Sequence, residues 1–513
     1  MEDLPEITDR IRLPLEIEIH PYMMDHRFQG KGVLPAVEAM QLLAESTRTH
    51  LPDIHIDAIM DAEFDKFLYL EPGVKLIRAF NEIEVHADGT VASKLITKIR
   101  SKKASITRTI EHVTIHFSKH PQKIHLPPLD KVFALEGICL DVPSERLYSE
   151  LVPFGPAYHN VKESVTLSEE GAIACVCAPE NGAVTKPFGS PFPLDAAFHV
   201  ACAWGQRYAN IVGFPVGLEK RYILNRTRPG EAYISRIMPR EIRPGLLVFD
   251  IWIFDQDGTF FEAALGVQMK DVSSGRMKPP SWIMEGALHD RLQTLRNRCE
   301  SISVIELKTI ERAAEKALSG PELERFGKMG EKRKKDYLGA RLCCKTLSRK
   351  LSDNDMDTPA SSITTISPDF VIPCCPLTDG RIKFSCSVSH DSRFAIAVAS
   401  ETLVGVDVEE ISERVLKSRR LFMSETEKML VQDSSLGEVE ASLMLWSIKE
   451  AVSKAFGISL AHAWEKVVVK DIGRNRSSIL MGGRDYTAFH AKVDDHMFTI
   501  INDPCSCKET SLL

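Results

Sequence analysis

The sequence predicts an α+β protein built in two parts, and three observations predict it. First, one plan appears twice in the N-terminal half, with an offset of 169 residues between His26 and Asp195 and again between the turn dipeptides Asp88-Gly89 and Asp257-Gly258. A repeat of that kind reads as a duplicated unit, a helix laid against a long antiparallel sheet. Second, residues 273–302 open on a Ser/Gly/Pro cluster that reads as a linker, and the character of the chain changes beyond them. Third, Val406 and Val408 alternate with Asp407 and Glu409 at strand period, ahead of a helical pattern through Leu445, Ile448, Val452 and Ala455. The predicted division is 1–272, a linker over 273–302, and 303–513.

The totals narrow the function. At 513 residues the chain exceeds one ordinary core, and at roughly 100–200 residues per domain it divides into several. A 44% hydrophobic and 26% charged composition is that of a globular protein, and a net charge of −7 argues against nucleic-acid binding. No uninterrupted apolar run approaches the ~18 residues of a membrane helix, and the acidic start lacks a signal-peptide core, so the expected compartment is the cytoplasm. The twelve cysteines include no C-x-x-C pair and read as buried reduced thiols.

In the first half, His26, Gly30 and Pro35 precede a helical pattern with apolar Val37, Met40, Leu43 and Ala44. Pro35 suits the first turn, where its missing N–H costs nothing. The free N–H groups of a helix start near His26 are suited to holding a developing oxyanion. Strand-like runs follow, with Val113, Ile115 and Phe117 alternating against Thr114 and His116. The second copy opens on Phe154-Gly155-Pro156-Ala157-Tyr158, and Asp195 stands at the start of its helix. His26 and Asp195 are a candidate base and acid for removing a β-hydroxyl as water. Histidine suits the base at neutral pH, and the aspartate needs an apolar pocket to stay protonated.

In the second half, residues 304–350 read as helical and basic, 352–369 as a polar loop, and Phe384 to Val408 as paired strands containing Ser389-His390. The last dozen residues are polar. On the helix through residues 445–455, Glu450 and Lys454 share a face with Ser447. Asp407, Glu409 and Glu450 supply three carboxylates beside one lysine, Lys454, which is what a Mg²⁺-assisted reaction on a phosphate requires.

The N-terminal motifs resemble those of polyketide synthase dehydratase domains over about residues 10–272. The matching stretches are His26-x-x-x-Gly30-x-x-x-x-Pro35, Phe154-Gly155-Pro156-Ala157-Tyr158, and Asp195-Ala-Ala-Phe-His199. The resemblance implies a double hotdog fold, with His26 as base, Asp195 as acid and His199 holding the Asp195 carboxyl. It also implies that the helix near Pro35 polarises the thioester carbonyl. Phe154 departs from the pattern, standing where the family has tyrosine. Product-template cyclase domains share the dyad and fold, and a homodimer through this half is compatible with the resemblance.

Over about residues 303–503, the sequence resembles the 4′-phosphopantetheinyl transferases of the surfactin-synthetase type. The resemblance rests on Gly405-x-Asp407-x-Glu409, followed by Trp446-Ser447-x-Lys449-Glu450-Ala451-x-x-Lys454. It implies an α+β, pseudo-twofold domain that binds coenzyme A with Mg²⁺ on Asp407, Glu409 and Glu450. Glu450 and Lys454 would act in catalysis, and Arg341, Ser389, His390 and Lys449 would contact coenzyme A. Cys374-Cys375-Pro376 departs from the family's Gly-Lys-Pro loop.

Together the resemblances imply an enzyme that installs phosphopantetheine on an acyl carrier protein, or on a carrier domain of a synthase, and dehydrates the 3-hydroxyacyl chain carried there. No carrier motif is evident in this chain, so the carrier is expected on another. The alternative reading is an active transferase joined to a hotdog half that only binds acyl chains, acts as a cyclase or docks to a synthase.

Overall fold

The computed structural model describes residues 6–100, 107–120, 122–180, 187–287, 289–367 and 373–502. The chain forms two compact units, Met1–Leu126 with Cys139–Leu288, and Pro127–Ile138 with His289–Leu513.

The first unit is two helices against antiparallel sheet. One half of its main sheet holds Ile7–Glu18, Leu76–His86, Val91–Arg100, Thr107–Ser118 and His55–Glu63, in that order. The other half continues through Phe214–Ile223, Phe260–Lys270, Leu246–Phe254, Ala232–Arg243, Gly171–Cys177, Val161–Ser168 and Leu140–Pro143. The halves join where His55–Glu63 pairs with Phe214–Ile223, Gly217 opposite Glu63 and Tyr222 opposite Ala58. The helix Ala36–His50 turns Val37, Met40, Leu43 and Ala44 into the core. Each large apolar side chain buried this way contributes about 1.5–3 kcal/mol. The second helix, Phe192–Ala209, is apolar nearly all round and is enclosed along most of its length, as a central core helix must be. The architecture is the double hotdog that the sequence implies.

Both Asp-Gly dipeptides are turns, with Gly89 at φ +83° and Gly258 at φ +72°, a region that glycine enters without strain. Pro35 stands one residue earlier than expected. It caps the helix, and its carbonyl accepts from the N–H groups of Glu38 and Ala39.

The second unit has two antiparallel sheets. Three strands run in the order Ser301–Glu306, Phe394–Ser400, Ser385–His390. Five run in the order Val404–Glu410, His496–Asn502, Arg484–Val493, Arg476–Met481, Val468–Ile472. The helical reading of 304–350 is corrected at its start. Ser301–Glu306 is a strand with Ile302, Val304 and Ile305 buried, and α-helix is confined to Gly320–Gly327 and Glu331–Lys350. The helix Glu438–Phe456 lies on the Val404–Glu410 strand so closely that a side chain at Gly405 would strike the Ala451 carbonyl.

Pro127–Ile138, which the sequence places within the first half, groups with the second unit. Its ion pairs hold it there, Asp130 with Arg349 and Glu136 with Lys350 at 2.6 Å, together with buried Val132, Phe133 and Leu135 and a hydrogen bond from Gly137 N to the Val304 carbonyl. Within 273–302, Ile283 is enclosed in the first unit, while Leu292 and Leu295 are enclosed in the second.

The expectation of reduced cysteines is corrected at one pair. Cys375 and Cys386 are joined as a disulfide, their Cα atoms 6.0 Å apart, the normal span for that bond. Cys505, Cys507 and the rest of residues 503–513 lie outside the described residues. No helix among the described residues is long and apolar enough to cross a membrane.

Candidate active sites

In the second unit the chain brings three carboxylates together. Asp407 and Glu409 come from one strand and Glu450 from the helix Glu438–Phe456, and one oxygen of each lies within 4.8 Å of the others. Val406 and Val408 face the core, which turns the acidic residues to the opposite side of the strand. Asp407 is buried, and its Oδ2 has no hydrogen-bond partner. Burial, then the charge of Asp407, then that of Glu450 push Glu409 up to about 8. Burial and Asp407 push Glu450 up to about 7. Crowded acids with an orphaned buried oxygen form a donor set that a hard divalent cation relieves, so the residues present fit such an ion.

Lys454 is the cation already at this cluster. Its Nζ lies 2.7 Å from Asp407 Oδ1 and 3.6 Å from Glu450 Oε2, and it donates to Ser389 Oγ at 2.8 Å. Ser389 in turn donates to Asp407 Oδ1 at 2.9 Å. His390, next along the strand, keeps solvent contact, yet the crowding around it lowers its pKa, against the pull of Asp336. Trp446 Nε1 donates to Glu409 Oε1 at 3.3 Å and fixes that carboxylate's direction. Trp446 stands in the sequence motif, but only its distance to Glu409 reveals this use.

Two expected coenzyme A contacts are corrected. Lys449 lies on the face of its helix turned away from the carboxylates and is buried. It binds Glu427 at 2.9 Å and the Phe422 carbonyl at 2.6 Å. One residue along a helix turns a side chain by about 100°, so the neighbour of Glu450 cannot share its face. Arg341 is also buried, donating to the carbonyl and hydroxyl oxygens of Thr365.

In the first unit, His26 and Asp195 meet across the two halves of the double hotdog. His26 follows the 3₁₀ turn Pro21–Asp25, and Asp195 sits in the first turn of Phe192–Ala209. His26 Nδ1 lies 3.2 Å from the Val33 carbonyl. A carbonyl only accepts, so Nδ1 carries the hydrogen and Nε2 presents its lone pair, 3.8 Å from Asp195 Oδ1. Burial lowers the pKa of His26 and favours the neutral form a base needs.

His199 Nε2 lies 3.1 Å from Asp195 Oδ2, one turn along the same helix. The contact is an ion-pair approach rather than an aligned hydrogen bond, since Oδ2 is left without a hydrogen-bond partner. Burial pushes the Asp195 carboxyl up, but His199 and then His26 outweigh it, and the net position is below the ordinary value. The expected raised carboxyl is therefore not found: burial favours the protonated acid, but the contacts with His199 and then His26 outweigh it.

Phe154 covers the pair, its ring 4.5 Å from that of His26 and 4.9 Å from that of His199. Its loop is pinned to the residue before His26, because Asp25 accepts from Gly155 N through its carbonyl and from Ala157 N through its carboxylate. Tyr148 is a neighbour the sequence reading missed. Its hydroxyl accepts from the N–H groups of Asn160 and Val161 and lies 3.5 Å from His199 Nδ1. The dyad opens into a cavity of about 470 Å³ lined largely by apolar side chains, including Phe28, Phe67, Phe198 and Phe214.

Residues 403–501 match the model of the 4′-phosphopantetheinyl transferase superfamily, and residues 139–279 match that of the polyketide synthase dehydratase N-terminal domain. The first match contains Asp407, Glu409, Glu450 and Lys454, and the second contains Asp195 and His199 but not His26. The chain is 34% identical over 83 residues to the 4′-phosphopantetheinyl transferase gsp of Aneurinibacillus migulanus, which covers 16% of this chain and 34% of that protein. The chain thus spans about a third of the length of that curated relative.

Among solved structures it is similar to the dehydratase domain of a mycocerosic acid synthase-like polyketide synthase, at 20% identity and a TM-score of 0.43, covering 53% of this chain and 94% of that one. It is also similar to the dehydratase domain from the CurF module of curacin polyketide synthase, at 15% identity and a TM-score of 0.41, covering 52% and 96%. The chain joins a region of polyketide synthase dehydratase type to one of 4′-phosphopantetheinyl transferase type.

Proposed function

We propose that this chain transfers 4′-phosphopantetheine from coenzyme A to a serine of an acyl carrier protein. We propose further that it dehydrates 3-hydroxyacyl thioesters carried on the same kind of arm. The observation that carries the reading is the convergence of Asp407, Glu409 and Glu450 around Lys454, inside the stretch that matches the transferase superfamily. The carrier is a separate chain, and a coenzyme A donor is in keeping with a cytoplasmic reaction.

Asp407, Glu409 and Glu450 would hold Mg²⁺, which when bound supplies charge neutralisation on the diphosphate of coenzyme A. Glu450, at the same cluster, would take the proton of the attacking carrier serine. Lys454 stabilises charge as it develops on the phosphate being transferred, held in place by Asp407 and Ser389. The bond formed is serine oxygen to phosphorus. The bond broken links the two phosphates, and 3′,5′-adenosine diphosphate leaves. His390, within electrostatic reach of Lys454, would contact the phosphates.

In the first unit His26 Nε2 takes the α-proton, and protonated Asp195 gives its proton to the β-hydroxyl, which departs as water. The apolar cavity holds the acyl chain and keeps bulk water from the dyad. A second reading, an acyl-binding half without turnover, is favoured by two observations: the depressed Asp195 carboxyl, and Phe154 in place of a phenol.

Incubating apo carrier protein with coenzyme A, Mg²⁺ and the full chain tests the transferase. Mass spectrometry should show the phosphopantetheine increment with the wild type and not with Asp407→Ala. An increment of equal rate in both would refute the site. Turnover of 3-hydroxyacyl and enoyl thioesters of several lengths tests the other half, and no turnover at any length leaves the acyl-binding reading standing.

A further inference from the structure

The second unit carries a second cluster of ligand-type side chains, made of sulfur instead of oxygen. Cys344 comes from the helix Glu331–Lys350, Cys375 from the segment before the three-stranded sheet, and Cys386 from the strand Ser385–His390. The three sulfurs all lie within 4.8 Å of one another. Cys344 and Cys375 are fully buried, and Cys386 is partly so. A tetrahedral ion with bonds of about 2.3 Å to sulfur holds its sulfurs about 3.8 Å apart, so small side-chain adjustments bring this set to that spacing.

A second observation concerns charge. Arg341 stands one helical turn before Cys344 and is buried. Its side-chain hydrogen bonds go to Thr365, its Nε has no partner, and among the described residues no carboxylate forms an ion pair with it. A buried guanidinium without an anion is costly, since desolvation is uncompensated. The other nearby charges already cancel, Lys345 meeting Glu322 at 2.8 Å. Three thiolates on a divalent cation carry one net negative charge, which is the charge Arg341 lacks.

We propose that Cys344, Cys375 and Cys386 form a binding site for a thiophilic divalent cation such as Zn²⁺, with Arg341 as its counter-charge. The site forms when the Cys375–Cys386 bond is reduced. A phosphine reductant with one water gives a phosphine oxide and two thiols, and the cation then displaces three thiol protons as three metal–sulfur bonds form. The carboxylate cluster, with oxygen donors alone, selects a hard ion, and the two sites are separated by donor type. Cys386 also stands three residues before Ser389 on one strand, so occupancy would anchor the strand that supports Lys454.

The test uses the full chain, reduced with a phosphine, stripped with a chelator and titrated with Co²⁺. The expected result is a sulfur-to-cobalt charge-transfer band that saturates at one ion per chain and is erased by one equivalent of Zn²⁺. Cys344→Ser and Cys386→Ser should each remove the band. Cys343→Ser, on another face of the same helix, and Asp407→Ala should keep it. Native mass spectrometry of Asp407→Ala should still show one retained Zn²⁺, a readout that needs no cysteine variant to fold. Absence of the band in the reduced wild type, or a band that survives both Cys344→Ser and Cys386→Ser, overturns the proposal.

Discussion

Arg349 closes on Asp130 with both side chains fully enclosed, its Nε 3.0 Å from Oδ2 and its Nη2 3.0 Å from Oδ1. The partners are 219 residues apart in sequence, and Asp130 belongs to the short Pro127–Ile138 segment that groups with the second unit. The second unit is therefore incomplete without a segment that lies, in the chain, between the two copies of the first.

Removing one partner of such a pair leaves a buried charge unmatched, at a cost of about 3–5 kcal/mol. Asp130→Ala is expected to lower the unfolding midpoint of the second unit in urea and to reduce carrier modification through loss of folded protein. A fragment that starts at residue 289 lacks the segment and is expected to be insoluble or unstable. Equal midpoints for Asp130→Ala and wild type, read by tryptophan fluorescence and by circular dichroism, would contradict the structural assignment.

Much of this organisation is legible in the sequence. The duplicated helix-on-sheet plan follows from a repeated pattern and the carboxylate cluster from one strand and one helix, because period-two and period-3.6 patterns are local, whereas the double hotdog is implied only by the family resemblance. The segment 127–138 was not legible, since nothing local in Asp130 says that its partner is Arg349. The fate of Lys449 and Arg341 was also hidden. Basic residues beside a motif read as ligand contacts until burial shows Lys449 spent on Glu427 and Arg341 enclosed with Thr365. The approach of Cys375 to Cys386 depends in the same way on a loop and a strand meeting in space.

Lys449 and Lys454 should therefore behave oppositely. Lys449→Ala leaves Glu427 buried and unpaired and is expected to destabilise the second unit by about 3–5 kcal/mol, with little change in KM for coenzyme A in the folded fraction. Lys454→Ala removes the cation at the carboxylates and is expected to lower kcat in the folded fraction by about 10²-fold or more. Steady-state kinetics beside urea titrations separate the two, and a KM effect confined to Lys449→Ala would restore it as a ligand contact.

The dyad in the first unit makes a prediction independent of carrier modification. His26→Ala and Asp195→Asn are each expected to reduce thioester dehydration by about 10²–10⁴-fold while phosphopantetheine transfer stays at the wild-type rate. Phe154→Tyr adds a phenol over both histidines and tests whether the departure at that position limits turnover. Loss of both activities in His26→Ala would point to general misfolding and remove the dyad as the explanation.

The carboxylate cluster fixes the sign of a pH effect. Glu409 and Glu450 are raised to about 8 and about 7, well above the ordinary glutamate range of about 4.3. An acid raised in the folded state holds a proton there that the unfolded chain has already lost. Its contribution to stability is therefore complete below about pH 4.3 and is lost as pH climbs through 7 and 8. Mg²⁺ competes with those protons, so it should stabilise the second unit little at pH 6 and progressively more towards pH 8.5. Thermal unfolding at a series of pH values, with and without Mg²⁺, should show a shift that grows with pH in the wild type. In Glu450→Gln the shift should shrink, because one crowded charge and one ligand are gone together. A shift of the same size at every pH would mean that the ion binds away from these carboxylates, since no protons would be displaced when it binds.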